Sequence, residues 1–113
     1  MESTPTGSTA YSLSVGGPIL TPQTHNFILS PVATHSLNVR PMVIADDTLI
    51  ELQVKSRSNS FLLSVDGQSQ VLHDAVKITL KKAPYTVQTI RIEGYSFFQT
   101  LKTKLMWGVD KRL

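Results

Sequence analysis

Residues 48–72 read Thr-Leu-Ile-Glu-Leu-Gln-Val-Lys-Ser-Arg-Ser-Asn-Ser-Phe-Leu-Leu-Ser-Val-Asp-Gly-Gln-Ser-Gln-Val-Leu. From residue 48 to 55, Ile50, Leu52 and Val54 alternate with Glu51, Gln53 and Lys55, a period of two that predicts a strand with one apolar face. Phe61, Leu63 and Val65 continue the alternation on the next segment. Asp66-Gly67 follows, and both residues tolerate the positive φ of a type I′ turn, so a hairpin is expected with residues 68–72 pairing back. His73-Asp74 ends that strand as a turn, and Val76, Ile78 and Leu80 form another inward face with Lys77 and Lys81 on the wet side.

Outward from this centre, residues 27–32 form a short apolar run ending near Pro31, and Asp46-Asp47 reads as a polar turn at the mouth of a strand. In residues 85–93 the parity changes, Tyr85 and Val87 on one side and Ile90 and Ile92 on the other, so a strand with a bulge near Gln88-Thr89 is expected. Ser96-Phe97-Phe98-Gln99 has the form of a capping box opening a helix with Phe98, Leu101 and Leu105 on one side, Gly108 as its stop and Trp107 packed on the sheet. At the other end, Ser8 or Thr9 is expected to cap a helix of two turns at most, closed by Gly16-Gly17-Pro18. The expected fold is therefore mainly β, a two-layer, sandwich-like domain with a short N-terminal helix and a C-terminal helix.

The chain's 113 residues suit one domain, and 41% hydrophobic with 17% charged content is that of a globular protein. Without cysteine there is neither a disulfide nor a thiolate metal site. His25, His35 and His73 are scattered, which gives no zinc motif. No apolar run approaches the ~20 residues of a membrane span, and Met1-Glu2-Ser3-Thr4-Pro5 has no leader character, so a cytoplasmic location is expected. The net charge of +3 sits on strand faces and near the C-terminus without an aromatic platform, so neither nucleic acid nor membrane is expected as a partner.

Thr4-Pro5-Thr6-Gly7-Ser8-Thr9-Ala10-Tyr11 is the stretch that carries chemistry. A Gly- and hydroxyl-rich loop opening a helix offers backbone N–H groups and side-chain oxygens to anionic or amide-bearing ligands, although the same pattern serves an ordinary helix start. It is not a Walker A loop, having no lysine, and it is not a nucleophile elbow, because Ser8 directly follows Gly7.

The run from Ser3 through Gly7-Ser8-Thr9-Ala10-Tyr11-Ser12-Leu13-Ser14 to Gly16-Gly17-Pro18-Ile19 resembles the long signature of the NAD kinase family. Three further stretches are similar in order and spacing. They are Pro31 to His35-Ser36-Leu37 with Arg40-Pro41, Asp66-Gly67-Gln68, and Phe98-x-x-Leu101-x-x-Lys104-Leu105-x-Trp107-Gly108. The resemblance implies an all-β C-terminal domain that binds much of an NAD molecule. The enzyme concerned transfers the γ-phosphate of ATP, or in some members of polyphosphate, to the 2′-hydroxyl of the adenosine ribose, giving NADP. It further implies contacts to the dinucleotide from Thr6, Thr9, Ala10, Tyr11, Ser12, Leu13, Ser14 and Gln68. Ala33 and His35 would reach a neighbouring subunit's site in a homo-oligomer, and magnesium would accompany ATP in the full-length enzyme.

The family's Gly-Gly-Asp-Gly-Thr loop and its Asn-Glu or Asn-Asp pair do not occur here. Residues 1–113 are thus expected to be the NAD-binding and oligomerising C-terminal domain alone, without the N-terminal kinase half, without catalytic or metal-ligating residues of its own, and inactive by itself. Two other readings are a lipid-kinase-type β domain of the diacylglycerol or sphingosine kinase sort, with an acyl pocket, and a β-sandwich interaction module without a ligand. The polar residues 6–14 with Gln68 favour the dinucleotide.

Overall fold

A computed structural model describes residues 1–32, 38–108 and 110. Strands predominate, with one short helix near the start and one near the end, so the expected fold class holds. The chain divides into two compact units, Met1–Ile44 with Pro84–Leu113, and Ala45–Ala83.

The second unit follows the sequence alternation closely. Strand β4 (Ile50–Gln53) pairs antiparallel with β7 (Lys77–Leu80), opposing Ile50 to Leu80 and Leu52 to Ile78. The opposite face carries Glu51 and Lys77, joined diagonally by an ion pair of 2.9 Å whose partners are half exposed. Such a pair contributes about 0–1 kcal/mol. Strand β5 (Ser60–Val65) pairs with β6 (Gln68–His73) in full register from Ser60–His73 to Val65–Gln68. Between them Asp66 (φ 48°) and Gly67 (φ 81°) both take positive φ, the requirement that made Asp-Gly legible as a hairpin. The turns behave as expected too: Thr48 N–H bonds to Ala45 O across Asp46-Asp47, and Val76 N–H bonds to His73 O. Asp74 does more than turn the chain. Its carboxylate accepts from Ser56 N–H at 2.6 Å and Ser56 Oγ at 3.1 Å, tying residues 56–60 to the end of β6.

In the first unit, β1 (Glu2–Ser3), β2 (Asn26–Leu29) and β3 (Met42–Ala45) form a sheet in that order. Strand β2 shortens the expected apolar run and buries Phe27 and Ile28. The pairing of β1 is extended by the terminal ammonium donating to Ser30 O at 2.7 Å and by Ser30 N–H donating to Met1 O at 2.8 Å. Burial lifts the Glu2 carboxyl above the usual carboxylate range, against a weaker lowering pull from the N-terminal ammonium. Helix α2 (Phe97–Leu105) starts as expected, with Ser96 Oγ accepting from Gln99 N–H at 3.1 Å, and it buries Leu101.

Three expectations are corrected. Residues 85–93 form no strand; the segment ends in a turn at Glu93-Gly94, where Gly94 has φ 91°. Alternating β-branched residues supply the propensity, but a strand also needs a ladder partner, which local sequence cannot provide. Helix α2 stops at Leu105 rather than at Gly108, because Met106 itself takes the left-handed conformation at φ 55° and Trp107 N–H closes onto Leu101 O. Trp107 is more than half exposed instead of packed on a sheet.

Candidate functional site

The Gly- and hydroxyl-rich stretch folds as two successive single turns. Thr6–Thr9 form a 3₁₀ turn and Tyr11–Ser14 form the one-turn helix α1, with Ala10 between them at φ −97°, ψ −131°. The expectation that Ser8 or Thr9 caps the helix is corrected: the residue at the start of α1 is Ala10, which has no side-chain oxygen to offer. Ser8 is instead fully buried. Its Oγ accepts from Leu20 N–H at 3.0 Å and donates to Leu20 O at 3.4 Å, stapling the turn to the segment that leaves it. That staple was not legible in the local pattern, because its partner lies twelve residues away.

The helix ends as the glycines require. Gly16 takes φ 86°, Gly16 N–H bonds to Leu13 O at 3.0 Å, and Gly17 N–H bonds to Ser12 O at 2.8 Å. Gly17 also packs directly over Ser12, where a Cβ would stand 2.5 Å from Ser12 Oγ and 2.7 Å from Ser12 O. Ser12 is 1% exposed, and its Oγ has no hydrogen-bond partner.

The stretch is thereby sorted into two sets. Ser8 and Ser12 turn inward: Ser8 Oγ holds the backbone at Leu20, and Ser12 is packed under Gly17. Thr6, Ala10, Tyr11 and Ser14 are exposed, Tyr11 at 61%, while Thr9 and Leu13 are half-buried. With only one turn, α1 brings little macrodipole, so any ligand held here is held by side chains and local N–H groups rather than by a helix field. Of the other expected residues, Gln68 is exposed at the first position of β6, directly after the Asp66-Gly67 turn, in the second unit. Ala33 and His35 lie outside the described residues.

Among the described residues no three His, Asp or Glu side chains come together in a way that would hold a metal ion. Among the described residues, too, no helix is long and apolar enough to cross a membrane.

These features define a mainly β domain entered through a glycine–hydroxyl turn that is stapled from beneath and presents one aromatic ring and several hydroxyls outward. Comparison with known proteins assigns it. The family model for the ATP-NAD kinase C-terminal domain matches residues 1–92, and the chain belongs to that family. It is 51% identical over 110 residues to the NAD kinase of Bacteroides fragilis, covering 97% of this chain and 38% of that protein. It is 53% identical over 109 residues to the NAD kinase of Porphyromonas gingivalis, again covering 38% of that protein. Among solved structures it is similar to yeast NADH kinase complexed with NADH, with a TM-score of 0.72 and 27% identity, covering 99% of this chain and 36% of that one. The chain thus spans little more than a third of the length of the relatives it matches.

Proposed function

We propose that residues 1–113 act as the dinucleotide-binding C-terminal domain of an NAD kinase. In this reading the longer polypeptide transfers the γ-phosphate of ATP to the 2′-hydroxyl of the adenosine ribose of NAD. The observation that carries the proposal is the sorting of residues 6–14: Ser8 and Ser12 are buried, Ser8 Oγ ties the turn to Leu20, and the outward side offers the Tyr11 ring and the Thr6 and Ser14 hydroxyls. A family relative of the same fold has been solved with NADH, which supports a dinucleotide as the ligand.

The chemistry divides accordingly. The Tyr11 ring can pack against a nucleobase or nicotinamide face, a contact of about 0.5–1.5 kcal/mol beyond its area burial. Thr6, Thr9 and Ser14 can donate to phosphate or ribose oxygens, and Gln68 can both donate to and accept from an amide or a hydroxyl. Ser12 serves from below as packing for the turn. Phosphoryl transfer itself rests on positioning and charge neutralisation, and the groups for that lie in the part that the family carries ahead of this domain. Assembly into a homo-oligomer, in which Ala33 and His35 reach a neighbour's ligand, belongs to the same proposal.

The test is calorimetric titration of NAD into the polypeptide that includes the preceding half, beside an assay of NADP formation. Saturable binding with turnover, both reduced by Tyr11→Ala, is expected. Turnover and affinity unchanged in Tyr11→Ala would remove this turn from the ligand site. The same titration into the 113-residue chain is expected to show weaker binding and no NADP formation.

A further inference from the structure

The tip of the β5–β6 hairpin brings together two reactive groups that the ligand site does not use. Asp66 is exposed, and its carboxylate makes no hydrogen bond or ion pair among the described residues. The Gly67 N–H that follows it is unpaired there too, because the ladder closes at Val65 and Gln68 on either side of the turn. Gly67 has φ 81° and open space where a Cβ would stand. An amide nitrogen and the carboxyl carbon of the residue before it are thus unengaged, solvated and unshielded by a side chain. Joined, they close a five-membered ring.

No other aspartate of the chain is followed by glycine. Asp46 and Asp74 are also engaged, the first by Lys82 at 3.0 Å and the second by Ser56 N–H and Oγ. Ring closure at Asp66 needs the turn to open, and the setting makes that cheap. Strands β5 and β6 form a two-stranded sheet. Such a hairpin is marginal by itself, and a tip without buried contacts opens at low free energy.

We propose that Asp66-Gly67 is a site of spontaneous backbone isomerisation. The Gly67 nitrogen attacks Cγ of the protonated Asp66 carboxyl. An N–Cγ bond forms, the Cγ–OH bond breaks, and the hydroxyl leaves as water with the amide proton, giving a succinimide. Water then adds back. Opening at Cγ restores aspartate, whereas opening at the α-carbonyl routes the main chain through Cβ and Cγ as isoaspartate, with no net change in mass. The two-residue turn then contains one extra backbone atom and can no longer hold positive φ at both central positions in the geometry that closes Val65 onto Gln68. Gln68, the first residue of β6, loses its place. The consequence for the dinucleotide rests on the functional reading above.

Peptide mapping of the 113-residue chain, aged at physiological temperature and mildly acidic pH, tests the inference. The peptide between Arg57 and Lys77 holds both Asp66 and Asp74, so fragmentation compares them within one molecule. Isoaspartate is expected at Asp66 and not at Asp74, at a rate within ~10-fold of that in the urea-unfolded chain, as cheap opening of the tip requires. Asp66→Asn retains the turn preference, forms the same succinimide with loss of ammonia, and should react faster. Asp66→Glu would need a six-membered ring and should abolish the product. Asp66 left intact in the folded chain after the unfolded chain has converted would overturn the proposal, as would equal conversion at Asp74. NAD titration of the polypeptide with the preceding half, fresh and aged beside its Asp66→Glu variant, separates the two readings. Affinity should fall with isoaspartate at Asp66 and be spared in the variant. Isoaspartate with unaltered affinity removes only Gln68 from the ligand site, and binding without isoaspartate sinks only this inference.

Discussion

Replacing Gly17 by alanine tests the account of the turn most directly. The new Cβ would sit 2.7 Å from Ser12 O and 2.5 Å from Ser12 Oγ, both inside ordinary contact distance. The hydroxyl could rotate away, but the carbonyl is backbone and is fixed by the 2.8 Å bond that it accepts from Gly17 N–H. Relief therefore requires the end of α1 to shift by several tenths of an ångström. Overpacking of this kind costs about 1–3 kcal/mol, and weakening the hydrogen bond adds up to about 1 kcal/mol. Against this, alanine reduces the entropy of the unfolded chain, which offsets about 0.4–1 kcal/mol. The steric term wins, leaving a net loss of about 2 kcal/mol, or a fall in melting temperature of roughly 8–16 °C for a domain of this size. Urea denaturation followed by circular dichroism measures it, with two comparisons. Gly16→Ala has open space around its Cβ but φ 86°, so it should cost about 1–2 kcal/mol from backbone strain alone. Adding Ser12→Ala to Gly17→Ala should recover less than half the loss, because the carbonyl contact persists. A Gly17→Ala stability within about 0.5 kcal/mol of the parent, or full rescue by Ser12→Ala, would refute the backbone-contact argument.

Four further outcomes are expected. Ser8→Ala removes the acceptor of the partly buried Leu20 N–H and leaves a small void where the buried hydroxyl stood, and should destabilise the chain by about 1–2 kcal/mol in the same denaturation assay. Tyr11→Ala, by contrast, should leave stability within about 0.5 kcal/mol, since the ring is exposed, while weakening NAD binding to the longer polypeptide by about 1–3 kcal/mol in calorimetry. Asp74→Ala removes the acceptor of Ser56 N–H and Ser56 Oγ and should cost about 1–3 kcal/mol, with faster amide exchange confined to residues 56–60. The raised Glu2 carboxyl means that the folded state holds a proton which the unfolded state has released, so its contribution to stability is fully present below the ordinary carboxylate pKa and is lost as pH rises through the folded value. The difference in stability between the parent and Glu2→Gln should therefore change across that window and be flat above it, as read from denaturation midpoints at stepped pH.

Much of the second unit was legible because its determinants are local. The alternation of Ile50, Leu52, Ile78 and Leu80 fixes which face of β4 and β7 is apolar, and Asp66-Gly67 supplies the positive φ that the β5–β6 turn needs. Ser96 is a cap recognisable from its own neighbours, since the N–H that it satisfies is three residues on. The segments that misled or went unread have non-local determinants. Strand β1 exists only because Leu29 and Ile28 come alongside Glu2 and Ser3, and no two-residue stretch announces that. Residues 85–92 carry strand composition yet join no strand among the described residues.

The candidate site divides along the same line. Sequence alone determined that residues 6–17 turn tightly and carry hydroxyls, and the length of the signature determined the family. Only the tertiary structure decided which hydroxyls face outward. Ser8 and Ser12 are chemically the same as Ser14, yet Leu20 claims the first and Gly17 covers the second, while Ser14 is left exposed. Composition specifies what a side chain can bond to, and the path of the distant backbone specifies what it does bond to.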